Sequence, residues 1–181
     1  MIVVTTPTGQ IGQHVVCGLV AAGAPVRAIV RDPSKIPDDI RPSIDIVEGS
    51  HGDAAVIDTA LDGAESLFWL VPPDMTKDAE EAYIGFTRPA AEAICRHPVK
   101  RIVSITGLCR NTPWQETAGL LTVSMRMDDL LMGTGANFRG LAMPSFMDNA
   151  IRYAGSIKQN GTFSGPIDPD RKLPLDRKSV V

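Results

Sequence analysis

The sequence predicts an α/β protein in which helices cover both faces of a doubly wound parallel sheet. Short apolar, β-branched runs without polar alternation recur along the chain, as expected for strands that are buried on both faces. Segments with apolar residues at helical spacing separate these runs, and each such unit implies a right-handed crossover between parallel strands. The 181 residues are enough for one such domain with its own core.

The first half of the chain supplies four of the predicted strands. A strand at 1–5 precedes a helix whose apolar residues run from Ile11 to Val20 and which ends at Gly23. Three further strands are predicted at 26–30, 44–47 and 66–71, and a short helix is predicted at 54–61. Turns rich in proline or Asp-Gly separate these segments, which fits short connections between strands and helices.

The second half begins with a long predicted helix at 79–96, in which Pro89 is expected to cause a kink. Strands at 101–105 and 138–142 flank a helix at 116–132. After Pro144 the pattern weakens, and loops with room for one hairpin are predicted from Gly155, Gly161, Gly165, Pro166, Pro169 and Pro174. We therefore expect a sheet domain over residues 1–150 and a smaller C-terminal segment over residues 151–181.

Composition excludes several classes of protein. A net charge of −3 argues against a nucleic-acid binder, because no basic excess is present to neutralise phosphates. Cys17, Cys95 and Cys109 are too few, and odd in number, for a disulfide scaffold, which favours a cytoplasmic protein with reduced thiols. No apolar run approaches the roughly 20 residues of a membrane span, and no secretory signal is visible. The three histidines lack ligand spacing, so no metal is expected.

The most informative motif is the stretch TTPTGQIG at 5–12, between the first strand and the first helix. Backbone N–H groups at this place can approach phosphate oxygens at the positive end of a helix, and a Cβ at Gly9 would obstruct that approach. Gly12 lies inside the helix, where glycine costs about 1 kcal/mol relative to alanine, so we expect that helix to pack closely on the sheet. A plain strand-to-helix turn without a ligand is the alternative.

These residues resemble the T-G-x-T-G-x-x-G turn of the NmrA-like group of atypical short-chain dehydrogenase/reductases. Four further segments, at 28–33, 61–71, 143–149 and 161–172, resemble the same group. The resemblance implies a Rossmann-like fold that binds NAD(P). Thr6 stands where the family turn has its first glycine, so we expect Thr6 and Pro7 to make the turn with a negative φ at Pro7.

The resemblance implies that the dinucleotide contacts three segments of the chain, comprising Thr6, Thr8, Gly9, Gln10, Ile11, Gly12, Arg31, Leu70, Val71 and Pro72. Arg31 ends the second strand, where an arginine accommodates a 2′-phosphate and an acid selects NAD, so NADP(H) is favoured over NAD(H). Alternatively, Arg31 pairs with Asp32 or Asp53 at a solvated edge, and Asp32 can form a turn before Pro33. The family's adenine-binding aspartate is replaced by Ser50, followed by His51.

Catalytic machinery is less evident. The wider superfamily uses a Tyr-x-x-x-Lys pair, but Leu120 and Ser124 occupy that register here. Ser104 and Thr106 lie near the position of the superfamily's active-site serine and are candidates to hydrogen-bond a substrate carbonyl. Satisfied hydroxyls at the end of a strand are the alternative.

The sulfur-containing side chains give two further expectations. Cys17 is predicted to lie in the core and Cys109 to be the most reachable thiol. The five methionines near the expected pocket are either core residues or the lining of an adaptable apolar pocket: Met125, Met127, Met132, Met143 and Met147.

The resemblance implies an NADP(H)-binding oxidoreductase that passes hydride to a small quinone, azo or carbonyl acceptor. Without a tyrosine acid, simple ketones should be reduced slowly and quinones better. The alternative is a non-catalytic NAD(P)-sensing regulator that acts through a protein partner. Family members usually continue well past the segment like 161–172, so Phe146, Met147 and Phe163 should be partly exposed and favour a homodimer.

Overall fold

A six-stranded parallel sheet forms the centre of the computed structural model, which describes residues 1–164, 170, 172 and 175–176. The strand order is β3-β2-β1-β4-β5-β6, which confirms the predicted Rossmann-like α/β class. The strands are β1 Ile2–Thr5, β2 Val26–Val30, β3 Ile44–Glu48, β4 Ser66–Trp69, β5 Arg101–Gly107 and β6 Asn137–Met143. The helices that connect them are α1 Gly12–Ala21, α2 Ala54–Leu61, α3 Phe86–Arg96 and α4 Leu120–Met132.

Strand β1 lies between β2 and β4, with Val4 opposite Ala28 on one side and Phe68 on the other. Both faces of β1 are buried, which explains its unbroken apolar sequence. One core lies between the sheet and the helices α2, α3 and α4, and Trp69 is fully buried in it. A second core lies under α1 and is built around Val4 and Val16. The apolar runs of the strands therefore supply two cores, one on each face.

The helix predicted at 79–96 is interrupted where a kink was expected. A π-helical turn, Glu81–Gly85, directly precedes α3, and Pro89 lies in the first turn and a half of that helix. Proline has no N–H to donate to the carbonyl four residues earlier, which is that of Gly85, and its ring crowds this carbonyl. The wider turn before Pro89 relieves that crowding.

The helix predicted at 116–132 begins later, at Leu120. Gly119 precedes it with φ +62°, a conformation that cannot continue an α-helix, and residues Gln115–Thr117 form a separate 3-10 turn. The apolar spacing on which the prediction rested therefore continues across Gly119, where the helical conformation of the backbone is interrupted.

The C-terminal region differs from the prediction. Strand β7, Ser145–Phe146, pairs in parallel with β8, Leu175–Asp176, so this pairing is not a hairpin. Gly155 lies inside a helix, α5 Ala154–Asn160, which ends at Gly161 with φ +67°. The predicted loop residues Gly165, Pro166, Pro169 and Pro174 lie outside the described part of the chain. The division at residue 150 stays a prediction.

The predictions for the thiols were wrong. Cys17 and Cys95 are exposed, whereas Cys109 is half-buried and its Sγ lies 3.5 Å from Thr112 Oγ1. Val16 is the α1 residue that points into the core, and the next residue of a helix is rotated by about 100°, which turns Cys17 outward.

The methionines do not form one pocket. Met125 and Met127 are buried, Met132 and Met147 are exposed, and Met143 is intermediate. They therefore belong to separate environments, the first two being core residues of α4. In the described part of the chain, no helix is long and apolar enough to cross a membrane.

Candidate functional site

A cavity of about 740 Å³ opens at the carboxyl ends of β1, β2, β3 and β4. Its position follows from the strand order, because the chain adds β2 and β3 on one side of β1 and then crosses to β4 on the other. Such a switch point leaves a crevice between the loops, where open parallel sheets bind ligands. Nine of the ten predicted dinucleotide contacts line this cavity: Thr6, Thr8, Gly9, Gln10, Ile11, Arg31, Leu70, Val71 and Pro72.

The turn after β1 is organised around the carbonyl of Thr6. The Gly9 N–H donates to this oxygen over 3.0 Å, and a Cβ on Gly9 would lie 3.3 Å from it. A Cβ on Gly12 would overlap the same oxygen, which excludes any side chain there. Gly12 therefore permits close packing of α1 against the turn itself, rather than on the sheet as predicted, and it does not line the cavity.

Thr6 takes over the conformational role of the family's first glycine. Its φ is +50°, in the left-handed region that β-branched residues rarely adopt. The prediction placed the turn on a negative φ at Pro7, and Pro7 does have one, but the reversal is made by Thr6. The Thr6 side chain is held at the cavity wall, where its Oγ1 is buried without a hydrogen-bond partner in the described residues.

The start of α1 is open to an anion. Its N-cap residue, Ile11, provides no side-chain hydrogen bond, and the first turn contains no acidic residue. The first N–H groups of a helix lack intrahelical partners, and its N-terminus carries a partial positive charge. With the cavity at this point and the glycines leaving its backbone accessible, the residues present fit the pyrophosphate of a dinucleotide.

Arg31 lies at the junction of the cavity with a smaller one of about 310 Å³, which Thr8, Asp32 and Lys35 also line. Neither alternative partner is available to it. Asp32 accepts hydrogen bonds from the Ser34 hydroxyl over 2.6 Å and the Ser34 N–H over 3.1 Å, which hold the pKa of its carboxyl below the usual value.

The second possible partner, Asp53, is the N-cap of α2 and accepts from two backbone N–H groups there. Asp32 caps the 3-10 turn Pro33–Lys35, which confirms its predicted turn role. Within the described residues, the Arg31 guanidinium makes no ion pair, so it is available to a ligand.

His51 lines the cavity near the end of β3 and is only 8% exposed. The edges of Trp69 and Phe86 meet its ring, with centroids 5.2 and 4.8 Å away. Burial is the main cause that lowers the pKa of His51 to about 4, and the positive charge of Arg31 acts in the same direction. The ring is therefore neutral at pH 7. Sequence reasoning noted its position beside Ser50 but missed this burial, because a lone histidine carries no sign of its neighbours.

Ser104 and Thr106 do not line the cavity. Both hydroxyls are buried on the face of β5 that α4 covers, and both act on the Asp128 carboxyl of that helix. Whether they contact an acceptor or are satisfied strand-end hydroxyls stays a prediction. Leu120, in the register of the missing tyrosine, is 43% exposed.

Asp128 of α4 completes this buried group and was missed by the sequence analysis. Its carboxylate is buried from solvent beside the hydroxyls of Thr106 and Ser104, and the Arg110 guanidinium lies 3.9 Å from it. Burial raises the pKa of Asp128 to about 6 and outweighs the hydroxyls of Thr106 and Ser104 and the guanidinium of Arg110, which favour the charged form. One sequence signal could have revealed this burial. Asp128 stands at helical spacing from Thr122, Met125 and Leu131, which form the buried face of α4.

The described residues contain no group of three or more histidine, cysteine, aspartate or glutamate side chains that could hold a metal ion. The chemistry that the site offers therefore consists of an anion-binding turn, a free guanidinium, a neutral aromatic wall and, beside the cavity, a buried acid with two hydroxyls.

We expect Thr6→Gly to stabilise the protein. A left-handed backbone costs an L residue about 1–2 kcal/mol, from which the greater freedom of glycine in the unfolded chain subtracts about 0.5–1 kcal/mol. Urea unfolding should therefore show a gain of up to about 1.5 kcal/mol. Thr8→Gly, at an ordinary φ in the same turn, serves as the control and should give no gain. Equal loss of stability in both variants would contradict strain at Thr6.

The free energy of unfolding should depend on pH through two groups whose effects change with pH in opposite directions. His51 has a folded pKa of about 4 against an ordinary 6.5, so its stabilising effect is complete above pH 6.5 and is lost as the pH falls towards 4. Asp128 has a folded pKa of about 6 against an ordinary 3.8, so its effect is complete below pH 3.8 and is lost as the pH rises towards 6. Each amounts to about 3 kcal/mol at most, and the two nearly cancel between pH 4 and 6.

Asp128→Asn should therefore uncover the contribution of His51. The free energy of unfolding of this variant should rise steadily from pH 4 to 6.5, whereas that of the wild type should change little from pH 4 to 6. Urea titrations at half-unit intervals of pH measure both curves. Glu92→Gln removes an exposed acid from α3 and should keep the wild-type curve. Parallel curves for Asp128→Asn and wild type would refute the assignment.

Comparison with known proteins agrees with this site. The model of a family described as NAD(P)H-binding matches residues 7–169. A (4-alkanoyl-5-oxo-2,5-dihydrofuran-3-yl)methyl phosphate reductase of Streptomyces griseus is 28% identical over 163 residues, which are 89% of this chain and 53% of that protein. An NAD(P)H azoreductase of Xenophilus azovorans is 26% identical over 100% of this chain and 60% of its own length.

Among solved structures, an NADPH-dependent quinone oxidoreductase of Escherichia coli complexed with NADPH has the same fold, with a TM-score of 0.72 and 24% identity. The match covers 90% of this chain and 56% of that one. The chain thus spans between half and two thirds of the length of each of these relatives. Since the family model covers most of its length, the chain belongs to the NAD(P)H-binding family, and its sheet has the Rossmann-like strand order.

Proposed function

We propose that this protein binds NADP(H) and passes hydride to a small quinone or azo acceptor. The observation that carries the proposal is the cavity at the switch point of the sheet, bounded by the glycine turn, the uncapped start of α1 and the guanidinium of Arg31. An azoreductase and a quinone oxidoreductase are among its relatives and support the acceptor class. The finer assignment to the NmrA-like group belongs to the same proposal.

The chain's own residues bind and orient the nucleotide, which supplies the hydride when bound. Backbone groups of the 6–11 turn and the start of α1 hold the pyrophosphate. Leu70, Val71 and Pro72 supply an apolar wall beyond β4, while His51 supplies a flat, uncharged surface beyond β3. A neutral histidine suits a nucleobase, because its ring can stack or accept a hydrogen bond without adding charge.

A preference for NADP(H) follows from the electrostatics of the smaller cavity. Asp32, the acid that would otherwise hold a ribose 2′-hydroxyl, is engaged by Ser34 and lies 3.7 Å from Lys35. Arg31 and Lys35 therefore face a volume of about 310 Å³ with a surplus of positive charge. Such a place suits a 2′-phosphate, which a guanidinium binds in bidentate fashion.

The acceptor class depends on the proton that must follow the hydride. Leu120 and Ser124 replace the Tyr-Lys pair, so no strong acid stands at the usual position. Quinones tolerate this because the reduced oxyanion is a weak base. Ser104 and Thr106 stay candidates to contact the acceptor from the adjoining end of β5.

A second candidate function is that of a nucleotide-sensing regulator that acts through a partner. Large apolar side chains near the start of α4 are exposed, with Leu108 at 55% and Trp114 at 69%, and such surfaces favour association. Met147 and Phe163 are exposed, and Phe146 is half-buried against the core under α1, so all three are at least partly exposed as predicted. A homodimer formed through the exposed residues stays part of this proposal.

Arg31→Ala tests the preference for NADP(H). NADPH should lose about 1.5–3 kcal/mol of binding free energy, the range for hydrogen bonds to charged groups, and NADH should change little. Calorimetric titration of both nucleotides measures the difference. Gly9→Val is the control and should weaken both alike, because its side chain meets the Thr6 carbonyl and blocks the phosphates. Equal losses for Arg31→Ala would remove this residue from the 2′-phosphate site.

Acceptor preference tests the reaction. NADPH oxidation should be at least about tenfold faster with quinones than with simple ketones, and Ser104→Ala should cost about tenfold or less, below the range of a full general acid. Steady-state rates over a matched panel of acceptors measure both effects. Brisk ketone reduction would contradict the proposal. Tight NADPH binding without turnover of any acceptor would favour the regulator instead.

A further inference from the structure

Four buried oxygen atoms form one polar group between β5 and α4. They are the hydroxyl oxygens of Ser104 and Thr106 and both carboxylate oxygens of Asp128. Burying a carboxyl is costly even when neighbouring hydroxyls can bond to it, so a buried acid of this kind calls for a functional explanation. The proposed function leaves Asp128 unused.

The register of the sheet places this group at the edge where the cavity lies. Ser104 is opposite Trp69, so Thr106, two residues further along β5, lies beside the segment 70–72 that lines the cavity. Side chains alternate along a strand, so Ser104 and Thr106 share the face that α4 covers. Asp128 on α4 is near enough for both hydroxyls to favour its charged form. Thr106 thus lies on the strand next to the cavity-lining segment, on the same face as the Asp128 carboxyl.

The loop after β5 borders this path on the solvent side, where the Arg110 side chain is 32% exposed. Arg110 donates to the backbone carbonyl of Met125 over 2.9 Å and to the Asp129 carboxylate over 2.7 Å, and its other contact is Asp128 at 3.9 Å. Arg110 and Asp129 are the charged groups that act on the Asp128 carboxyl. Tyr83, in the π-helical turn beside α4, has a pKa raised by burial and stays neutral over the same pH range.

We propose that Asp128 is a positioning residue that supplies a proton through the Thr106 hydroxyl to the reduced acceptor. This rests on the proposed function. A carboxyl can hold a proton in this place because its burial disfavours the charge, and a hydroxyl can accept one proton while it donates another.

The step balances with NADPH as the two-electron reductant. When one nitrogen of an azo acceptor has gained hydride, the N=N π bond is broken and the second nitrogen carries the electron pair. That nitrogen takes the proton of Thr106, an N–H bond forms and the O–H bond breaks. Thr106 takes the proton of Asp128, which regains one from solvent. A reduced quinone needs this relay much less, because its anion is a phenolate, with a pKa near 10.

The experiment compares azo and quinone reduction in Asp128→Asn and Thr106→Val from pH 5 to 9. Azo turnover should fall at least about thirtyfold in each variant, within the range of general acid catalysis, and its decline above pH 6 should disappear. In both variants quinone turnover should fall much less than azo turnover, with a loss below about threefold in Asp128→Asn, and NADPH affinity should not change. Glu92→Gln, which removes an exposed acid from α3, is the matched control and should keep the wild-type ratio and pH profile.

A readout without nucleotide or turnover is the ¹³C NMR titration of labelled aspartate. Thr106→Val should shift the titration of Asp128 to higher pH by about half a unit or more, because the hydroxyl stabilises the carboxylate. Thr134→Val removes a hydroxyl bonded to the Leu131 carbonyl at the end of α4 and should leave this titration unchanged.

Equal losses of azo and quinone turnover in Asp128→Asn would overturn the inference, since a structural defect affects both. If Asp128→Asn fails to fold, the same ratio in Thr106→Val decides. A wild type that binds NADPH but reduces neither acceptor would overturn the proposed function, and the inference with it. Normal reduction of both acceptors by Asp128→Asn would overturn the inference alone.

Discussion

The carbonyl oxygen of Thr6 sets the position of the first helix, and with it the shape of the cavity. It accepts the Gly9 N–H, and the backbone of Gly12 lies so close to it that no Cβ fits between them. Since α1 covers one face of the sheet, this contact also decides how its buried residues meet β1 and β2. The same close approach leaves the start of the helix uncapped by any side chain. Packing and ligand access therefore depend on one backbone contact.

Much of the fold could be predicted because the strands bury both faces and their apolar runs are continuous. The bounds of β2 and α2 agree with the prediction residue for residue. The predictions failed where a single backbone conformation decides the outcome, as at Gly119, whose positive φ delays the start of α4. They also failed at Cys17, because one step along a helix turns a side chain from the core to the solvent.

The candidate site was predictable to a similar degree. Contacts from the turn and strand ends follow from the order of elements, since parallel strands end at a common edge. What the sequence could not supply were environments made by distant segments. Asp128 is buried against β5, and His51 is enclosed by Trp69 and Phe86. Only the tertiary structure shows that Asp128 keeps its proton up to about pH 6, whereas His51 loses its proton above about pH 4.

The exposed thiols of Cys17 and Cys95 have a practical consequence for work on association. They sit on α1 and α3, which cover opposite faces of the sheet, so they are too well separated by the protein to react with each other. Thiols of two different molecules can meet at the surface. During aerobic storage a disulfide can therefore form between two chains through Cys17 or Cys95. A dimer seen without reductant would then report air oxidation rather than the affinity of an apolar surface.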